Sequence, residues 1–170
     1  MKRASLYAVW IFCIMLTSVS GCGVYSFTGA SIDPDVKTFT VHFFPNQAQL
    51  VIPTLSQSFT EALKNKFRTG TSLQLQESGG DLEFQGAITQ YTITPIAAVA
   101  NETAALNRIT IAVDVEFTNH KNDKQSWHTT FSRYSDYPSN QDLNTVQLKL
   151  IDDINNQLVE DIFNKAVVNW

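Results

Sequence analysis

The sequence is poor in the residues that build most active sites. Two cysteines and three histidines are spread over 170 residues, and no histidine pair has the close spacing of a metal-ligand motif. A zinc site needs three or four converging ligands, so neither a zinc nor any other metal site is expected. A GxSxG nucleophile elbow, a P-loop and a GxGxxG turn are all missing; Gly79-Gly80 reads as an ordinary turn. The adjacent acids Asp152 and Asp153 fall on a helical pattern and point about 100° apart, which does not make a catalytic pair. Basic charge is also scarce. Twelve Lys and Arg stand against 16 Asp and Glu, with a pI near 5.2, which excludes the dense basic face of a nucleic-acid binder. Catalytic residues, cofactors and enzyme activity are therefore not expected.

Hydrophobic residues make up 44% of the chain, too many for disorder, and their pattern fits one folded domain. The longest apolar run lies at the start. Lys2 and Arg3 precede Leu6 to Leu16, an almost wholly apolar stretch. As a helix it would be about 16 Å long, roughly half of a hydrocarbon core. A charged start, a short apolar run and small residues after it read as an export signal over residues 1–21. Val19-Ser20-Gly21-Cys22 then has the pattern of a lipobox, with Cys22 as the acylated residue. An ordinary secreted protein would leave Cys22 as a thiol. Its only possible partner, Cys13, lies inside the removed segment, so acylation explains a lone N-terminal cysteine better. Several acyl chains on one residue anchor durably, whereas one alone is marginal. No acidic run follows Cys22 before Asp33, which by analogy with lipoprotein sorting places the chain at the outer membrane, facing the periplasm.

Residues 22–35 are small, polar and turn-rich, with Tyr25 and Phe27 the only large side chains, and form a tether to a single domain over 36–170. Phe39, Val41 and Phe43 alternate with polar residues and predict a half-buried strand. After Pro53, the spacing of Leu55, Phe59, Ala62, Leu63 and Phe67 predicts a helix ending near Gly70. Leu73 and Leu75 make a short strand. Leu82 to Ile93 is a longer one, with Gly86 as its bulge and Pro95 as its stop. Residues 96–105 form a long hairpin connection. Ile109 to Phe117 shows the clearest alternation in the chain, and Trp127, Thr129 and Phe131 begin the returning strand. A long helix from Leu143 to Ala166 closes the domain. Because each element is apolar on one face, both helices should cover one side of one sheet. The expected fold is α+β: a two-layer sandwich with two helices on one face of a mixed four- to five-stranded sheet. The other face carries Thr, Asp, Glu and His and stays wet or meets a polar partner; His42 and His128 fall in phase to share it, while His120 lies at a turn.

Two sets of side chains stand out as binding candidates. Arg108, Lys121, Lys124 and Arg133 fall at or near the hairpins. They suit the phosphates of an anionic glycolipid, or simply keep strand edges soluble. Trp127, Tyr134, Tyr137 and Trp170, with Tyr25 and Phe27 in the tether, are aromatic residues available to a partner interface.

The sequence resembles the LptE family of lipopolysaccharide-assembly lipoproteins, especially the form found in Bacteroidetes-like bacteria. The resemblance rests on Cys22 to Ile32, Phe43-Phe44-Pro45-Asn46, Pro53 to Gln57 with Thr60 to Leu63, Gly80-Asp81-Leu82, Asn107 to Ile111, and Asp161 to Val167 with Trp170. It implies a non-enzymatic subunit of the outer-membrane lipopolysaccharide translocon, seated in and plugging the large β-barrel LptD. It also implies a part in barrel assembly and in lipopolysaccharide insertion into the outer leaflet. Relatives engage lipopolysaccharide through basic residues. No basic cluster here matches theirs, so the resemblance carries no lipid-contacting position across. A different class, an auxiliary lipoprotein of a periplasmic lipid or solute transporter, would share the anchor and the small α/β form.

Overall fold

The computed structural model describes residues 32–96 and 105–167. The elements follow as β1 (Thr38–Val41), α1 (Leu55–Gly70), β2 (Gln74–Leu75), β3 (Leu82–Ile96), β4 (Leu106–Asn119), β5 (Trp127–Pro138) and α2 (Leu143–Val167). A short 3-10 turn at Asp123–Gln125 joins β4 to β5. The five strands form one mixed open sheet in the order β2-β1-β3-β4-β5. The crossover through α1 makes β1 parallel to both β2 and β3, whereas β3-β4 and β4-β5 are antiparallel. Both helices pack on one face, as the one-sided apolar patterns require. Lys66 on α1 reaches Glu160 on α2, and Asn155 Nδ2 of α2 donates to Ser58 Oγ of α1 at 3.1 Å. No helix among the described residues is long and apolar enough to cross a membrane.

The core fills the space between the helices and the inner sheet face. Phe67 of α1 is its hub, with ring centroids 5.7 Å from Phe39, 4.6 Å from Phe84 and 5.1 Å from Phe163. From β4 the inward set is Ile109, Ile111, Val113, Val115 and Phe117, every second residue and all buried. From α2 come Leu150, Ile151, Ile154, Leu158, Ile162 and Ala166, the stripe expected from the sequence, with Leu143 and Val146 half-buried at its start.

Three local expectations need correction. Phe43 does not continue the buried face of β1: it is 62% exposed, and Phe44 is fully buried instead. The strand ends at Val41, and the backbone N–H of Phe44 then donates to Thr60 Oγ1 on α1 at 3.1 Å. That bond draws the chain toward the helix layer and shifts the alternation by one residue. The bulge of β3 is not at Gly86; the register slips between Ile88 and Gln90, leaving Thr89 as the extra residue. Gly86 serves close approach instead. With φ +155, a Cβ there would lie 1.9 Å from the Asp114 carbonyl oxygen and 2.9 Å from the Phe44 ring. Pro95 does not stop β3, which runs on to Ile96 with Pro95 opposite Asn107. Among the described residues, β1 and the segment after it pair with β3 only as far as Ile88, so the upper part of β3 has an open edge there on which proline removes no needed hydrogen bond. The hairpin connection read over 96–105 lies mostly outside the described residues.

Candidate functional site

The strand registers assign the outer face residue by residue. It carries Glu83 and Gln85 from β3, Arg108, Asp114 and Glu116 from β4, and His128, Thr130, Tyr134 and Asp136 from β5. His42, just past β1, and His120, just past β4, flank its lower end. All three histidines of the chain therefore meet this one face, and each is held by a carboxylate. Glu83 accepts from His42 Nε2 on one oxygen and from His120 Nε2 on the other, the latter at 2.8 Å. Asp114 accepts from His128 Nε2 at 2.7 Å and from Thr130 Oγ1 at 3.0 Å. Gln85 donates to Glu116 at 2.7 Å.

These contacts set the ionisation of the face. The hydrogen bond from His42, followed by that from His120, holds Glu83 below the usual carboxylate range. Asp114 is lowered mainly by its bond from His128, and the same bond raises His128 above an ordinary imidazole. Beside them, Asp81 accepts the backbone N–H groups of Lys37 at 2.8 Å and Thr38 at 3.0 Å, and its other oxygen meets Lys121 Nζ at 3.0 Å. The Lys37 N–H leads in holding its pKa far below the normal carboxylate range. In return Asp81 N donates to Thr38 Oγ1, so this carboxylate ties the start of β3 to the start of β1. Gly80 fits against the same segment: a Cβ there would lie 2.6 Å from the Phe39 carbonyl carbon.

The four candidate cations do not converge. Arg108 sits at the upper end of the outer face, gripped by Asp136 through two bonds of 2.8 and 2.9 Å and stacked 3.6 Å over the Tyr134 ring. Lys121 and exposed Lys124 lie in the turn at the opposite end, on the order of 40 Å away along β4. Arg133 is on the inner face, bound to Asp161 of α2 by bonds of 2.5 and 2.6 Å. Two ends and two faces separate these groups, and three of the four already have acidic partners.

The aromatic candidates divide similarly. Tyr134 is 52% exposed on the outer face. Tyr137 is buried among the core residues, which removes it from any partner surface; its position on β5 is in phase with the inner face. Trp127 is half-buried on that inner side, 5.2 Å from Phe117 and 5.7 Å from Phe131, with Lys165 of α2 over its ring. Cys22, Tyr25, Phe27 and Trp170 lie outside the described residues. Among the described residues no group of three or more His, Cys, Asp or Glu side chains is placed to hold a metal ion.

Sequence reasoning missed Glu83 and Asp114 as organisers of the outer face. The signal was present in the alternation of β4, which puts Asp114 and Glu116 out whenever Val113 and Val115 are in. The bridging by Glu83 depended on β1 and β4 lying on either side of β3.

Comparisons with known proteins match this architecture. The model of a family described as LptE, lipopolysaccharide-assembly, matches residues 36–166. A minor lipoprotein from Acinetobacter baumannii has a similar structure, with a TM-score of 0.51, 16% identity, and coverage of 79% of this chain and 94% of that one. The hypothetical protein CT253 from Chlamydia trachomatis gives a TM-score of 0.53 at 7% identity, over 77% of this chain and 98% of that one. At such identities the likeness is one of fold. No curated protein matches the sequence.

Proposed function

The chain belongs to the LptE family of lipopolysaccharide-assembly proteins, and from that premise we propose that it is a non-enzymatic, lipid-anchored subunit of the outer-membrane lipopolysaccharide translocon. Cys22 carries the acyl anchor on the periplasmic side of the outer membrane. The folded domain sits in the lumen of an LptD-type β-barrel, assists its assembly, plugs it, and supports insertion of lipopolysaccharide into the outer leaflet.

The observation that carries this reading is the family match over residues 36–166, which spans every described strand, α1 and all but the last residue of α2. The geometry is compatible with it. A barrel lumen is polar, and a plug needs hydrogen-bonding surface more than a broad apolar patch. The open sheet face supplies such a surface, and its ionisable groups are engaged with one another rather than converging on a reacting centre.

The test is gentle detergent extraction of outer membranes followed by capture of the chain through an affinity tag. A large β-barrel protein should come with it, and Cys22→Ala should lose membrane anchoring. Recovery of an inner-membrane transporter with no barrel would instead favour the auxiliary-transporter class. Unchanged detergent-phase partitioning of Cys22→Ala would remove the anchor from the proposal.

A further inference from the structure

We propose that the open sheet face is an acidic docking surface for a Lys- and Arg-bearing protein wall, and that His128 upon it makes this docking proton-sensitive. The inference rests on the barrel-plug reading and names the chemistry of the surface that the plug would meet. Four carboxylates, Glu83, Asp114, Glu116 and Asp136, face outward with one guanidinium, Arg108. At the rim, Lys121 is matched by Asp81 and Lys124 follows Asp123, so the turn adds no excess apart from His120. Counted without the histidines, the face holds three negative charges more than positive ones. Protonation of His128, which its bond to Asp114 raises above an ordinary imidazole, cancels part of that excess as the pH falls.

Size is consistent with a real interface. The three long strands present a strip about 40 Å by about 15 Å, roughly 600 Å² before side-chain relief, against about 800 Å² per partner in a standard complex. Both helices pack on the opposite face, so nothing in their packing obstructs it. Glu83, Asp114 and Asp136 are each held below the usual carboxylate range by the side chains that donate to them.

The experiment uses the tagged full chain captured with its barrel from outer membranes at pH 8. The resin is washed at pH 8, 7, 6 and 5.5 at fixed ionic strength, and tryptophan emission confirms that the chain stays folded. Loss of the barrel should be roughly threefold faster at pH 5.5 than at pH 8, and raising the salt at pH 8 should also speed it. In His128→Gln, the ratio of the two rates should collapse toward one, since glutamine keeps an N–H donor but takes up no proton. A captured barrel whose release ignores pH and salt overturns this inference and leaves the plug reading standing, as does tighter retention at pH 5.5. Failure to capture any barrel at pH 8 overturns the parent reading and the inference together.

Discussion

Replacing Phe44 or Phe43 by alanine tests the phase of the chain after β1. Strict alternation from Phe39 and Val41 would bury Phe43 and expose Phe44. The structure has the opposite: Phe44 fully buried, 5.1 Å from Phe59 in an edge-on contact, and Phe43 62% exposed. Phe44→Ala removes a whole buried ring and leaves a void that Phe59 and Gly86 on either side are poorly placed to fill. Such truncations cost about 3–5 kcal/mol, a large share of the roughly 5–15 kcal/mol that stabilises an ordinary domain. At the entropy of unfolding typical of about 130 residues, that lowers Tm by about 11–18 °C. Phe43→Ala removes mostly solvated surface and should change stability by about 0.5 kcal/mol. Urea denaturation with a shared m-value, alongside thermal melts, measures both. Equal losses, or a larger loss from Phe43→Ala, would refute the turn of the chain that the Phe44 N–H bond to Thr60 implies.

Gly86→Ala should be more disruptive than its size suggests, since the new Cβ would fall 1.9 Å from the Asp114 carbonyl oxygen in the neighbouring strand. Strand separation and strain should cost about 3 kcal/mol; a urea midpoint unchanged from wild type would show that the strands are not so close. Asp81→Asn should weaken the domain at pH 7 by about 1–2 kcal/mol, because two backbone N–H groups and Lys121 lose an ionised acceptor. The pH dependence has a definite sign. The acidity of Asp81 is greater in the folded state, so its stabilisation is present above the unfolded value, near pH 3.9, and disappears as the pH falls toward the folded one. Wild type should therefore lose stability between about pH 4.5 and 2 more steeply than Asp81→Asn; parallel acid limbs in pH-dependent melts would contradict the assignment.

The layered fold was legible because its signals are one-dimensional. The inward run Ile109 to Phe117 and the helical stripe from Leu143 to Ala166 need no knowledge of neighbours to be read, and the structure buries most of both. What failed depended on partners. Phe43 and Phe44 are indistinguishable until Thr60 is known to lie across from them. Gly86 reads as a bulge until the Asp114 carbonyl is placed against it, and Pro95 reads as a stop until the adjacent edge is known to be open. The candidate site followed the same division. Composition and alternation announced a polar outer face, but Glu83 bridges two histidines 78 positions apart only because β1 and β4 flank β3. Arg108 and Arg133 look alike in sequence. Arg133 lies three residues along β5 from Asp136, the residue opposite Arg108, and that odd separation sends the two arginines to opposite faces.

That separation bears on how the protein would handle a phosphorylated lipid. For Arg108 to grip a phosphate it must leave Asp136, whose carboxylate then remains beside the incoming anion and repels it. Arg133 faces the same difficulty with Asp161, and releasing it would also loosen α2 from the edge strand. Lys121 is engaged with Asp81 at the far end of the sheet, too distant to act with either arginine on one headgroup. Neutralised one by one and held apart, these cations provide no pre-organised clamp. The unbalanced charge on the domain's open face is negative, the wrong sign for phosphate and the right sign for a basic protein wall. Under the barrel-plug proposal, its contribution to lipopolysaccharide assembly is better sought in the barrel it would shape and fill than in charge-driven capture of the lipid.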